Sequence, residues 1–294
     1  MKLHVLVIDG VFDIGLSSVL DIVGTANELA LTLESPPAPI EVTLVGLRKK
    51  VLTSHGLSVP VRAVSGVDRP DAVIVPALGA KMPAPLVETL ARRDVADAQG
   101  VLREWSQDDA AIGAACTGTF VLADAALLDG HSATTSWWLA PLFRQRSRQV
   151  DLDESRMLVS STPFITAGAA LAHVDLALGL VRRQSPTLAA LTARYLLIEP
   201  RASQAAFVIP DHLAHTDPVV ERFERWARQN LAHGFSLSDA ARNVGASERT
   251  LARRLQKVLG KSPLSYVQDL RVERAIHLLQ SSHERVEQIA AAVG

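Results

Sequence analysis

Two kinds of chemistry are written into this chain. The first is a thiol. Cys116 is the sole cysteine among 294 residues. It follows a small-residue run, Ala110-Ala-Ile-Gly-Ala-Ala115, and precedes Thr117-Gly118-Thr119 and an apolar helix-like segment. A strand that ends in a nucleophile just before a helix is how a reactive side chain is often mounted. The thiolate is the reactive form, so such a site must lower the thiol pKa and supply a base or orienting group. The same position also suits a small semi-buried residue, a ligand contact or an oxidisable thiol.

The second is a cationic helix face. Ser236 is placed to cap a short helix, with Asp239 three residues on and Leu237, Ala240, Ala241 and Val244 along one side. Gly245 supplies the turn. Ser247 caps a second helix, with Glu248 in its first turn where the dipole favours an acid. Leu251, Leu255 and Val258 form its buried stripe, which leaves Arg249, Thr250, Arg253 and Lys257 on another face. This is the plan of a helix-turn-helix, whose second helix enters the DNA major groove with its N-terminal residues toward the bases. Arginine there can read guanine edges bidentately. Spacing alone leaves a plain αα-hairpin with a solvated basic face equally open.

The elements that must position these residues differ between the two parts. Residues 3–9, 39–47, 71–76 and 110–116 are apolar runs of strand length, and helical spacing covers 16–33, 86–105 and 118–127. Residues 164–183 predict a short strand, a glycine turn and a closing helix. His55 falls in an expected hairpin. Strand–helix alternation predicts an α/β fold with an open, mostly parallel, flavodoxin-like sheet. Sites in such sheets sit beyond the carboxyl ends of the strands, where Asp9-Gly10, Leu78-Gly79 and Cys116-Thr117 fall. Pro186, Pro200 and Pro210 punctuate the segment after residue 183, and from Pro218 every segment is helical. The expected domains are 1–199, a linker at 200–216, and a smaller all-α domain at 217–294.

Composition bounds the classes. Hydrophobic residues make up 48% and charged residues 21%, enough to bury a sizeable core. One cysteine excludes an internal disulfide and a multi-cysteine metal site. No cofactor or metal is expected. The N-terminus lacks the pattern of a signal peptide and no apolar stretch reaches bilayer length, so a cytoplasmic protein with no membrane partner is expected. Net charge is −1 overall, but residues 236–276 hold 8 basic against 4 acidic side chains. That basic stretch coincides with the helix-turn-helix pattern, as nucleic-acid binding requires.

The run Gly260, Ser262, Pro263, Tyr266, then Arg271, Ala275, Leu278, Leu279, preceded by Ser247, Leu251 and Arg253, resembles AraC-type DNA-binding domains over about 60 residues. That resemblance implies two helix-turn-helix units joined by a long helix, here 264–280. Residues 283–294 resemble the first helix of the second unit. The sequence stops at Gly294, so a truncated second unit is expected. Residues 1–185 resemble the PfpI-like branch of the class I glutamine-amidotransferase-like fold. Cys116-Thr-Gly-Thr-Phe-Val-Leu-Ala, Leu127-Leu-Asp-Gly130, Ala133-Thr-Thr135 and Trp137 carry that likeness. The order of the two domains is similar to that of GlxA-type regulators.

Within that resemblance, Asp21 fits the family's acidic position on the first helix. The histidine is missing from both places where relatives keep it: Thr117 follows the cysteine, and Ser136 stands in Thr134-Thr135-Ser136-Trp137. His131 reads as a solvated turn residue, and sequence does not bring His55 or His173 to Cys116. Without a general base an acyl-transfer site forgoes about 10²–10⁴-fold. A non-enzymatic transcriptional regulator is therefore expected. Its effector pocket would lie around Asp21, Gly79, Cys116, Thr117 and Ser136. Its DNA contacts would come from Ser247, Arg249, Thr250, Arg253 and Lys257. The expected partners are DNA, a small-molecule effector and a second copy of the chain. A cysteine-dependent hydrolase or hydratase using Cys116 is the alternative, and a constitutive dimeric scaffold the blander one.

Overall fold

The computed structural model describes all residues except 49, 108–109, 200, 202, 205–206, 208–216 and 282–283. Most of the expected linker, 200–216, therefore lies outside the described residues. The chain packs as two compact units, Met1–Ala205 and Ala206–Gly294.

The first unit is built on β1 (Lys2–Leu6), β2 (Glu41–Gly46), β5 (Arg62–Ala63), β6 (Ala72–Val75), β7 (Ala111–Ala115), β10 (Leu158–Ser161) and β11 (Phe164–Ala167). They form one sheet in the order β10-β11-β7-β6-β1-β2-β5. All neighbours run parallel except the β10–β11 hairpin. The open, mostly parallel α/β sheet read from the sequence is the fold of this unit. Its central strands are apolar on both faces because helices cover both. Side chains alternate, so Leu3 and Val5 enter one core and Leu6 the other. The first core is closed by α1 (Asp13–Ala30), α6 (His173–Gln184) and α7 (Pro186–Tyr195), through Val19, Val23, Leu176 and Val181. The second is closed by α2 (Pro83–Leu90), α3 (Arg93–Gln107), α4 (Gly118–Asp124) and α5 (Ala140–Arg146), through Leu86, Leu102, Phe120 and Phe143.

One helix was expected over 86–105, and two are found. The chain turns at Ala91-Arg92, where Arg92 donates to the Asp9 carbonyl at 2.7 Å and pairs with Asp94. That anchor re-aims the chain before α3 begins. β3 (Lys50–Leu52) and β4 (Ser58–Pro60) form the hairpin that carries His55. β8 (Ser132–Ala133) and β9 (Asp151–Leu152) pair beside the main sheet.

The described elements of the second unit are α8 (Pro218–Gln229), α9 (Leu237–Asn243), α10 (Glu248–Leu259), α11 (Pro263–Ser281) and α12 (Val286–Val293). Four helix starts are capped by side chains, one of them at α11, where Ser262 accepts from Ser265 N–H. Asp217 accepts from Val219 N–H, Ser236 from Asp239 N–H and Ser247 from Thr250 N–H. Gly245 and Gly260 take φ of 67° and 66°, the left-handed conformation that glycine adopts without strain. Phe223, Ala241, Leu251, Leu255, Tyr266 and Leu270 are buried. Burial and the neighbouring Glu224 carboxylate push the Tyr266 phenol up, so it stays neutral within the core. Arg271 donates to the carbonyls of Leu231 and His233, fastening α11 to the chain after α8.

Candidate functional site

Strand β7 delivers Cys116 at its carboxyl end. The Cys116 N–H continues the ladder by donating to Ala167 O at 2.9 Å. The backbone then turns sharply, with φ of 55° at Cys116. A left-handed non-glycine residue costs on the order of 1–3 kcal/mol and persists where its surroundings over-determine it. Here Thr135 Oγ1 donates to Cys116 O at 2.7 Å. Thr117 Oγ1 donates to Leu78 O at 2.9 Å. Residue 118 must be glycine for this turn to fit, since a Cβ there would lie 2.5 Å from Val75 O. Gly79 donates to Gly10 O, and a Cβ on it would meet Ser54 Cβ at 2.3 Å.

Ser136 Oγ lies 2.8 Å from Cys116 Sγ and 3.2 Å from Gly168 O. One hydroxyl proton serves one of these at a time. With that proton on Gly168 O, the thiol proton goes to Ser136 Oγ, and every group is satisfied with sulfur neutral. Burial pushes the Cys116 thiol up, and the Ser136 hydroxyl, the Thr117 N–H and the Lys81 charge pull it back only in part. Alkylation by iodoacetamide is accordingly expected to keep accelerating as pH climbs beyond 9.0, the ordinary thiol value. A rate plateau below about pH 8, where only a thiol of lowered pKa levels off, would contradict this.

Of the expected pocket residues, the structure brings Cys116, Thr117 and Ser136 together, with Gly79 following the Leu78 carbonyl that Thr117 grips. Asp21 does not join them. It is on the exposed side of α1, and no hydrogen bond links it to Cys116 among the described residues. The physical reason is helix periodicity: the buried face of α1 runs through Leu16, Val19, Ile22, Val23 and Ala26, and residue 21 points away from it.

The histidines have other work. His173 is fully buried; Ala77 N–H donates to its Nε2 at 3.0 Å, and its Nδ1 donates to Ala170 O at 2.6 Å. Both ring nitrogens thus hold backbone, and burial pushes its pKa down to about 4, partly opposed by the Ala170 carbonyl. His131 sits 3.0 Å from Ser161 Oγ with its ring edge-on to Phe164, so it is packed rather than solvated.

Two features are not visible in the sequence. The first joins Asp13, Ser54 and His55: Ser54 Oγ donates to Asp13 Oδ2 at 2.7 Å, and His55 Nδ1 lies 2.8 Å from the same oxygen. Burial would raise the Asp13 pKa, but hydrogen bonds from Thr53, His55 and Ser54 win and hold it well below the usual carboxylate range. A serine nucleophile passes its proton to imidazole, whereas this serine donates to the carboxylate, so the cluster ties α1 to the β3–β4 turn. The second is Gln204, fully buried 68 residues beyond Ser136. Its Nε2 donates to Thr135 O at 2.8 Å and Arg156 O at 3.2 Å, and Trp137 N–H donates to its Oε1 at 3.3 Å. No local sequence signal marks a pairing of that range.

In the helical unit, Ser247 spends its hydroxyl on the cap, and Thr250 Oγ1 lies 2.9 Å from it. Arg249, Arg253 and Lys257 follow one another at four-residue intervals and are exposed. Among the described residues none of the three is in an ion pair, whereas Arg254, on the other side, pairs with Asp217 at 2.7 Å. Three uncommitted cations therefore line one face of a capped helix.

Comparison with known proteins gives a match to the DJ-1/PfpI family over residues 1–183 and to a helix-turn-helix domain over 240–294. The HTH-type transcriptional regulator GbdR of Pseudomonas aeruginosa is 28% identical over 62% of this chain and 51% of its own length. The HTH-type transcriptional regulator GlxA of Rhizobium meliloti is 27% identical over 68% of this chain and 63% of its own. The chain thus spans about half the length of the first of these relatives. Among solved structures, an AraC family transcriptional regulator from Pseudomonas putida aligns with TM-score 0.55 at 19% identity, over 66% of this chain and 98% of that one. Drosophila melanogaster DJ-1beta aligns with TM-score 0.54 at 19% identity, over 68% and 98%. The sheet unit thus has the fold of both.

Proposed function

The chain belongs to the DJ-1/PfpI family, which matches it over residues 1–183, and from that premise we propose that it is a sequence-specific DNA-binding transcriptional regulator. The observation that carries the proposal is the row of Arg249, Arg253 and Lys257 on a Ser247-capped helix, none of them spent on an internal carboxylate among the described residues. The neighbouring N-terminal turn supplies backbone N–H groups for a phosphate, and Thr250 lies on the same turn. The regulator names of the relatives support the same reading. Such a protein works where the DNA is, in the cytoplasm. Among the described residues no helix is long and apolar enough to cross a membrane. Two half-sites require two reading heads, so the working species is a homodimer.

In this reading the sheet unit is a sensor. The effector binds around Gly79, Cys116, Thr117 and Ser136, at the carboxyl ends of β6 and β7, where open α/β sheets hold their ligands. It regulates only by binding one arrangement of the protein more tightly than another. The enzymatic alternative draws on the φ of 55° at Cys116, but it needs a thiolate and a base. The raised thiol and the backbone-engaged His173 weigh against both.

Electrophoretic mobility of DNA from upstream of its own gene tests the proposal. Specific retardation that weakens steeply with salt is expected, and no preference over unrelated DNA would overturn it. Thermal shift against amines, amino acids and aldehydes tests the sensor: a ligand raises Tm with concentration, and a library with no hit favours the constitutive scaffold.

A further inference from the structure

Gln204 stands two residues before the second compact unit begins at Ala206, yet it is buried among the neighbours of Cys116. Its carboxamide fills a slot shaped for one. Carbonyls of Thr135 and Arg156 accept from Nε2, the Thr134 hydroxyl lies 3.3 Å from it, and the Trp137 N–H donates to Oε1. The slot exists because residue 168 has no side chain: a Cβ on Gly168 would lie 2.5 Å from Nε2. The chain around it is pinned as well, with the Gln204 N–H donating to Ser155 O at 2.9 Å and the Arg201 guanidinium donating to Leu171 O at 2.9 Å and to the Asp175 carboxylate.

The loop so held is the one that touches the thiol. Thr135 grips the Cys116 carbonyl, Ser136 lies against its sulfur, and Ser136 also reaches Gly168 O, on the residue that makes room for Gln204. We infer that Gln204 is a latch: its carboxamide joins the state of the Cys116–Ser136 loop to the anchoring of the chain that leads into the helical unit. Displacing the loop empties the slot and frees the Arg201 end; freeing that end loosens the loop. Such coupling is reciprocal, as any linkage between two sites must be. It supplies a physical route by which an effector at Cys116 would be felt beyond residue 204, and in that sense it rests on the regulator reading. Its test does not need DNA, so its failure is distinct from a failure to bind DNA.

Cys116 is the sole thiol, which makes its reaction with dithiodipyridine a clean readout of loop opening. Trypsin cleavage after Arg201 reads the other end. Gln204→Ala is expected to speed the thiol reaction by about tenfold or more, as loss of a buried multi-bonded group does to local opening. Gly168→Ala alters neither Cys116 nor the 201–204 segment, and Gly168 does not have a positive φ. It is expected to displace Gln204 and to speed both the thiol reaction and the cut after Arg201. In the double variant the two effects should not add, because the alanine at 168 then meets no carboxamide. Leu188→Ala, in the core under α7, serves as the comparison for simple loss of stability. Additive effects, an unchanged cut at Arg201 in folded Gly168→Ala, or equal acceleration in Leu188→Ala would each overturn the latch. If Gly168→Ala does not fold, recovery of the fold in the double variant supports it and continued failure to fold overturns it.

Discussion

Replacing Arg249 and Arg253 together by alanine is expected to weaken specific DNA binding on the order of 10²–10³-fold, since a base-reading arginine is worth about 1–3 kcal/mol. The protein itself should barely notice. Both side chains are exposed and neither is in an ion pair among the described residues, and substitutions at such positions stay within about 0.5 kcal/mol. Lys257→Ala, further along the same helix, should weaken binding to all sequences alike and reduce the salt slope by about one. Arg254→Ala is the instructive contrast. It removes the partner of Asp217, which caps α8, so its damage should appear in thermal stability. Titration of labelled operator DNA at several salt concentrations, beside thermal melts, separates the three outcomes. Undiminished affinity in the double variant would remove the helix α10 face from the interface.

The second large effect concerns acid. His173 titrates near 6.5 in an unfolded chain and near 4 in the folded one. Between those values the unfolded chain binds the extra proton, so folding stability is full above 6.5 and is lost as pH falls toward 4. The shift corresponds to about 3 kcal/mol, at 1.36 kcal/mol per unit. His4, also lowered, by burial foremost, adds in the same direction. Urea titrations from pH 7 to pH 4, a span about as wide as the His173 shift, should therefore show stability falling. In His173→Gln the fall should be shallower, because glutamine has no proton to gain. An identical slope in the variant would show that His173 is not held neutral.

The sheet is legible in the sequence because burial on both faces leaves continuous apolar runs, and β1, β6 and β7 have them. The helix caps at Ser236 and Ser247 are legible because capping is local. Cys116, Thr117 and Ser136 came from contiguous motifs, and those motifs lie at strand ends. Asp21 shows the opposite case. The family likeness drew it inward, while the spacing of Leu16, Val19, Val23 and Ala26 already set residue 21 on the outer face. Gln204, His173 and the Asp13–Ser54–His55 cluster depend on chain segments far apart in sequence, and no periodicity records such meetings.

Gly15 and His173 show what this arrangement does to inheritance. A Cβ at position 15 would lie 2.7 Å from His173 Nε2, the atom that receives the Ala77 N–H. Any side chain at 15 must dislodge the imidazole, and any larger ring at 173 must find the glycine still there. The two positions, 158 residues apart, can thus grow in size only at each other's expense. A lineage that added a side chain at 15 alone, or a larger ring at 173 alone, would meet this clash, so mutual hindrance constrains the pair whatever the protein is used for.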